Sequence, residues 1–129
     1  MKKTTLANAE LAVMDLLWEE NPLTARQIRE RLYPDANKAQ HGTVQRLLQR
    51  LEDKGFVERD RKVPVHLFFA AMSRQDYGCS EMESLAAKLT GGSFAPLIAH
   101  LVEQKRISRA EIKRLRKILE GENKRREHS

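Results

Sequence analysis

The stretch that most constrains this chain is residues 38–54, Lys-Ala-Gln-His-Gly-Thr-Val-Gln-Arg-Leu-Leu-Gln-Arg-Leu-Glu-Asp-Lys, closed by Gly55. Val44, Leu47, Leu48 and Leu51 fall at the spacing of one helical stripe. With about 3.6 residues per turn, the opposite face carries Gly42, Arg46, Gln49 and Asp53, flanked by Thr43, Gln45 and Arg50. No Asp or Glu occurs from Ala36 to Leu51, although 33% of the chain is charged. A helix with an apolar back and an acid-free front suits a negatively charged, hydrogen-bonding partner. Arg and Gln pair bidentately with guanine and adenine edges, and Gly42 lets a backbone come close. Taken alone, the stretch reads more simply as a solvated amphipathic helix; what lies on either side reverses that.

Upstream, Asn8 is placed to cap a helix whose first turn carries Glu10. Leu11, Met14, Leu17 and Trp18 form its apolar stripe, with Trp18 as a core anchor, and Asn21-Pro22 ends it near residue 20. Thr24-Ala-Arg-Gln27 is a capping box that opens a second helix over 25–32, with Ala25, Ile28 and Leu32 inward. Tyr33 to Asn37 breaks that helix and leads into the stretch above. Helix, turn, then a helix with a polar front is the helix-turn-helix order, here with a long turn. After Gly55, residues 56–61 and 65–69 read as two strands joined by the basic tip Arg61-Lys62-Val63-Pro64. Pro64 lacks a ladder donor and belongs at a turn or edge. A basic hairpin after a reading helix is a wing, its cations placed to touch phosphates. His66 has no ligand-spaced partner and reads as structural or phosphate-contacting; His41, at the start of the reading helix, is the likelier of the two to be functional.

Composition narrows the class. Aromatic content of 5% in 129 residues favours helices over a sandwich or barrel. The net charge of +6 and pI near 9.7 fit a polyanion partner. Yet residues 1–72 carry 12 basic and 10 acidic side chains against 12 and 8 in residues 73–129, so the local acid-free helix argues better than the pI. The single Cys79 excludes an internal disulfide and a cysteine-cluster metal site. With no long apolar run there is neither a signal peptide nor a membrane span, and the expected location is the cytoplasm.

From Ser73 the character changes. Ser73-Arg-Gln-Asp76 opens a helix with Met82, Leu85, Ala86 and Leu89 on one face, ended by Gly91-Gly92. Ser93 is placed to cap a short apolar helix with Phe94, Leu97, Ile98, Leu101 and Val102. Ser108-Arg-Ala-Glu111 opens a third, with Ile112, Leu115, Ile118 and Leu119, expected to end at Gly121. Residues 122–129 read as a charged, frayed tail. Three such helices scarcely bury one another in a single copy. Packing against the same segment of a second chain solves this, and folding back on the first half is the alternative.

With that order in place the chain resembles the penicillinase-repressor family of bacterial transcriptional regulators over about residues 6–119. The resemblance lies in Asn8–Trp18, Pro22–Ile28, Thr43–Gly55 and Gly91–Phe94. It implies a mainly α fold: a winged helix-turn-helix DNA-binding domain (1–72) with a small two-stranded wing, then a three-helix dimerisation domain (73–121). It also implies repression through a palindromic operator. Three features depart from the family. Ala39-Gln40 replaces Trp-Ser at the start of the reading helix. The wing has Lys62-Val63-Pro64 where glycine is usual. His100-Leu101 stands where antibiotic-responsive members are cleaved at Asn-Phe. The paired C-terminal cysteines of the copper-responsive branch are absent.

The expected sites follow. Thr43, Gln45, Arg46 and Gln49 read bases in double-stranded DNA; Lys38, His41, Arg50, Arg61 and Lys62 touch the backbone. Tyr77, Met82, Leu85, Leu89, Phe94, Leu97, Ile98, Leu101, Ile112, Leu115 and Leu119 line a homodimer interface. No cofactor, metal or catalytic set is expected. The rival reading is a winged-helix protein-interaction module without sequence-specific DNA binding.

Overall fold

The apolar positions read above close over one another in the first part of the chain. Val13, Met14 and Leu17 of α1 (Asn8–Glu19), Ile28 of α2 (Ala25–Leu32) and Val44, Leu48 and Leu51 of α3 (His41–Asp53) are all buried, together with Leu23, Phe56 and Phe68. The computed structural model describes residues 5–35 and 40–127. The chain continues through β1 (Val57–Asp60), β2 (Leu67–Ala70), α4 (Arg74–Thr90), α5 (Ala95–Glu103) and α6 (Arg109–Glu127). It divides into two compact units, residues 1–82 and 83–129. Mainly helical, with one two-stranded sheet, it has the winged-helix order followed by a helical segment.

In the first unit, β1 and β2 are antiparallel, with Val57 opposite Ala70 and Arg59 opposite Phe68. Leu23 adds an isolated bridge: its N–H and C=O exchange hydrogen bonds with Phe68 at 3.1 and 2.8 Å. The Asn21-Pro22 bond that precedes it is cis, and Asn21 Oδ1 accepts from the Ala70 N–H at 3.0 Å. Gly55, at φ 84°, stops α3 in the left-handed conformation. This lets the Phe56 N–H reach the Leu51 carbonyl and the Gly55 N–H reach that of Glu52. The stop aims Phe56 into the core and starts the wing.

Two local expectations change. Asn8 is not the cap of α1 but its first helical residue; Ala7 holds the cap position, and its N–H donates to Glu10 Oε1 at 2.9 Å. Glu10 therefore does more than oppose the helix dipole. It is 2% exposed, and Lys54 Nζ donates to both of its oxygens at 2.9 Å, tying the start of α1 to the end of α3. The capping box of α2 forms as read, Thr24 and Gln27 exchanging hydrogen bonds at 2.9 and 3.1 Å.

Tyr77, expected at a dimer interface, lies instead in the core of the first unit. Its hydroxyl accepts from the Leu6 N–H at 2.9 Å, and its ring packs against Phe56 and Trp18 at 5.7 and 6.1 Å between centroids. Trp18 Nε1 donates to the Met72 carbonyl at 2.8 Å. The opening turns of α4 thus complete the winged unit, because the α1–α3 layer has an aromatic gap that only Tyr77 fills.

The second unit is different. Among its described residues Ala86 alone is buried. Leu85, Leu89, Phe94, Ile98, Leu101, Val102, Leu115, Ile118 and Leu119 are 38–66% exposed. Gly91 and Gly92, at φ 64° and 100°, both take the left-handed conformation that ends α4. α5 is capped by Phe94 and not by the Ser93 side chain; Ser93 offers its carbonyl to Thr90 Oγ1. Ser108 Oγ caps α6 as read, accepting from the Glu111 N–H at 3.1 Å. α6 does not stop at Gly121 but runs to Glu127, so the expected frayed tail is largely helix. A lone glycine costs only about 1 kcal/mol in a helix, which the strong helix formers on either side outweigh. No single described helix is long and apolar enough to cross a membrane.

Candidate nucleic-acid interface

The buried stripe Val44, Leu47, Leu48 and Leu51 locks the rotation of α3 and so decides which side chains face outward. Gly42, Arg46, Gln49 and Arg50 are exposed; His41, Thr43 and Gln45 are half-buried beside them. This is the front read from the spacing, and it contains no carboxylate before Asp53. A Cβ built on Gly42 would find Arg46 Nη1 as its nearest neighbour, at 3.7 Å, which is ordinary contact. The glycine therefore matters for the openness of the front and not for packing inside the chain. Gln40 holds the cap position of α3 without a side-chain cap bond. Lys38 lies outside the described residues.

Two of the nominated readers are engaged along their own helix. Gln49 Nε2 donates to Asp53 Oδ1 at 2.9 Å, and Gln45 Nε2 lies 3.1 Å from His41 Nε2. Arg46 carries no printed pair of this kind and projects as the front's free-standing cation beside Gly42.

Glu52 organises the wing. Arg59 and Arg61, two apart on the strand and hence on one face, both reach it, each at 3.2 Å. Arg59 is largely buried, with its guanidinium 4.7 Å from the Phe68 ring centroid, whereas Arg61 remains more than half exposed. Arg61 is therefore partly neutralised, and Lys62 is the more available cation of the tip. The Lys62 N–H donates to Asp60 Oδ1 at 2.9 Å, which fixes the turn's backbone while leaving the side chain exposed. The clasp on Glu52 was not anticipated, although the two-residue spacing of Arg59 and Arg61 was a signal that they share a partner.

The charge state of Glu10 follows from its surroundings. Burial raises its pKa, but the hydrogen bonds from Lys54 and the Ala7 N–H and the charges of Lys54 and Arg50 outweigh this and hold the carboxyl below its usual value. The base of α3 is thus clamped by an ion pair, and the front is left to face a partner. Among the described residues no group of three or more His, Cys, Asp or Glu is placed to hold a metal ion.

Residues 6–121 match the family model described as penicillinase repressor. The chain is 34% identical over 105 residues to the transcriptional regulator BlaI of Mycobacterium tuberculosis, covering 80% of this chain and 75% of that protein. It is 26% identical over 118 residues to the methicillin resistance regulatory protein MecI of Staphylococcus aureus, covering 92% and 95%. Among solved structures, the Bacillus licheniformis BlaI monomer in complex with the blaP half-operator aligns at 24% identity and a TM-score of 0.49, over 59% of this chain and 92% of that one. The match to the family spans both units, and on it the chain belongs to the penicillinase repressor family.

Proposed function

We propose that this chain is a DNA-binding transcriptional repressor that acts as a homodimer on an inverted-repeat operator in the cytoplasm. The family is one of repressors and not of enzymes. The observation that carries the reading is the division of α3 into a fully used apolar back and an outward front of Thr43, Gln45, Arg46 and Gln49 with no acid among them. Such a helix enters the major groove, where Arg46 addresses guanine and the two glutamines address adenine edges once they release their intrahelical partners. Lys62 and Arg50 contact phosphates, with a smaller share from Arg61 because of Glu52.

The dimer reading rests on the second unit. Its apolar side chains, among them Leu85, Leu89, Ile98, Leu101, Leu115 and Leu119, lack cover in one copy. A two-fold partner presents the same surface and buries both. Symmetry then requires two half-sites separated by whole helical turns.

The test is selection of the purified protein against random duplex DNA, with sequencing of the bound pool. An enriched inverted repeat is the expected result. A folded dimer that enriches nothing overturns the reading.

A further inference from the structure

The winged unit holds a concavity that the reading helix does not fill. A groove of about 470 Å³ is lined by Arg26 of α2, His41 and Gln45 of α3, Arg59 of β1 and His66 ahead of β2. No carboxylate lines it. Arg26 is balanced by Glu30 at 3.0 Å and Arg59 by Glu52 at 3.2 Å, and neither glutamate is part of the lining. The two histidines are the lining groups of the kind whose charge changes near neutral pH. His41 is held by the one contact to Gln45; its Nδ1 is buried without a hydrogen-bond partner among the described residues.

From this arrangement we infer that the groove seats a backbone phosphate of the bound duplex through His41 and His66, so that affinity for DNA rises as pH falls through the imidazole range. The inference rests on the DNA-binding reading above. Gln45 belongs both to the groove and to the row that includes Arg46, so a duplex held against that row brings a sugar-phosphate strand to the groove. Protonated imidazole meets phosphate in a charge-assisted hydrogen bond, which the neutral ring makes only weakly. Protonation also reaches base reading. A neutral His41 Nε2 accepts the Gln45 amide N–H; a protonated ring donates there, and Gln45 turns its carbonyl oxygen inward and its amide N–H groups toward the bases.

The experiment is DNA affinity of the full chain at pH 6, 7 and 8 at constant ionic strength, using the duplex selected above. Wild type is expected to bind roughly fivefold tighter per histidine at pH 6 than at pH 8. H41Q/H66Q should lose this pH response, whereas H100Q, outside the groove, should retain it. H66K, with a permanent charge, should restore at pH 8 part of the affinity wild type reaches at pH 6, and it keeps the test open if the double variant misfolds. Repeating the selection at pH 6 should change the base preferred at one position per half-site. Binding that is flat with pH, or a double variant that keeps the wild-type response, overturns the inference while leaving the repressor reading intact. Absence of duplex binding at every pH overturns both. Inorganic phosphate shifting the His41 and His66 imidazole resonances of the free protein, at fixed ionic strength, would mark a seat for free phosphate and overturn the assignment to DNA.

Discussion

The two units solve the same problem in opposite ways. Residues 1–82 bury their apolar stripes against one another and close the remaining gap with Tyr77, whereas the described part of residues 83–129 buries only Ala86. Their charges differ too: the first carries 13 basic and 12 acidic side chains, the second 11 and 6. The unit with the reading helix is thus self-sufficient and almost neutral, and the helical one is incomplete and basic. Recognition in the first depends on where a few cations stand and not on net charge. Stability in the second depends on a partner.

The largest effects should separate these two kinds of stability. Leu89 is 66% exposed in one chain. Burying a leucine contributes about 1.5–3 kcal/mol, counted twice across a symmetric interface, so L89D should weaken dimerisation by about a hundredfold or more. Sedimentation velocity would show monomers, while the winged unit stays folded by the near-ultraviolet signal of Trp18. A dimer unaffected by L89D would remove α4 from the interface. Phe56→Ala, at a fully buried position, should cost about 3–5 kcal/mol. Denaturant melts that follow this loss should not change with protein concentration; a concentration-dependent loss would mean that the winged unit also needs its partner.

How far these features were legible in the sequence follows the same division. The helix borders, the capping box at Thr24 and the facing of α3 rest on periodicity and local hydrogen bonds, which a single strand of sequence encodes. Tyr77 and Glu10 were misjudged because their partners, Leu6, Phe56 and Lys54, lie 21 to 71 residues away, and no local pattern announces such a meeting. Tyr77 sits on a helix whose later turns are exposed, so its position alone suggested the exposed face. The run of α6 past Gly121 was missed for a different reason: one glycine is a weak stop when its neighbours favour helix. Lys38, nominated for the DNA backbone, lies outside the described residues.

The ion pair under α3 offers a middle-sized test. Glu10→Gln should destabilise the winged unit by about 1–3 kcal/mol, since it leaves Lys54 without its buried partner. The carboxyl's pKa is lowered in the folded state, so its contribution is present above its ordinary value near 4.5 and fades as pH falls through the lower folded value. Wild type and E10Q should therefore differ at pH 7 and converge in acid. A constant difference across pH 3–7 would mean that packing, and not charge, is what Glu10 supplies.

On the DNA side, Arg46→Ala should cost roughly 1–3 kcal/mol on the selected duplex and relax specificity at one base pair. Equal losses on selected and random DNA would show that Arg46 holds phosphate and reads no base.

The smallest effects lie at the wing, and they distinguish two cations that the sequence treats alike. Arg61 already spends part of its charge on Glu52, whereas the Lys62 side chain is free of any such pair among the described contacts and stands at the exposed tip. A cation that neutralises one phosphate contributes about 0.9 to the slope of log affinity against log salt. Lys62→Ala should lower that slope by close to this amount and weaken all sequences alike. Arg61→Ala should lower it by less, because Glu52 is then released with only Arg59 to balance it and adds repulsion that grows weaker with salt. If Arg61→Ala proves the larger of the two, the clasp must open on DNA, and Glu52→Gln should then tighten binding at low salt by freeing Arg61 in advance. If Lys62→Ala is larger, the clasp persists, and the wing meets the duplex through its tip alone.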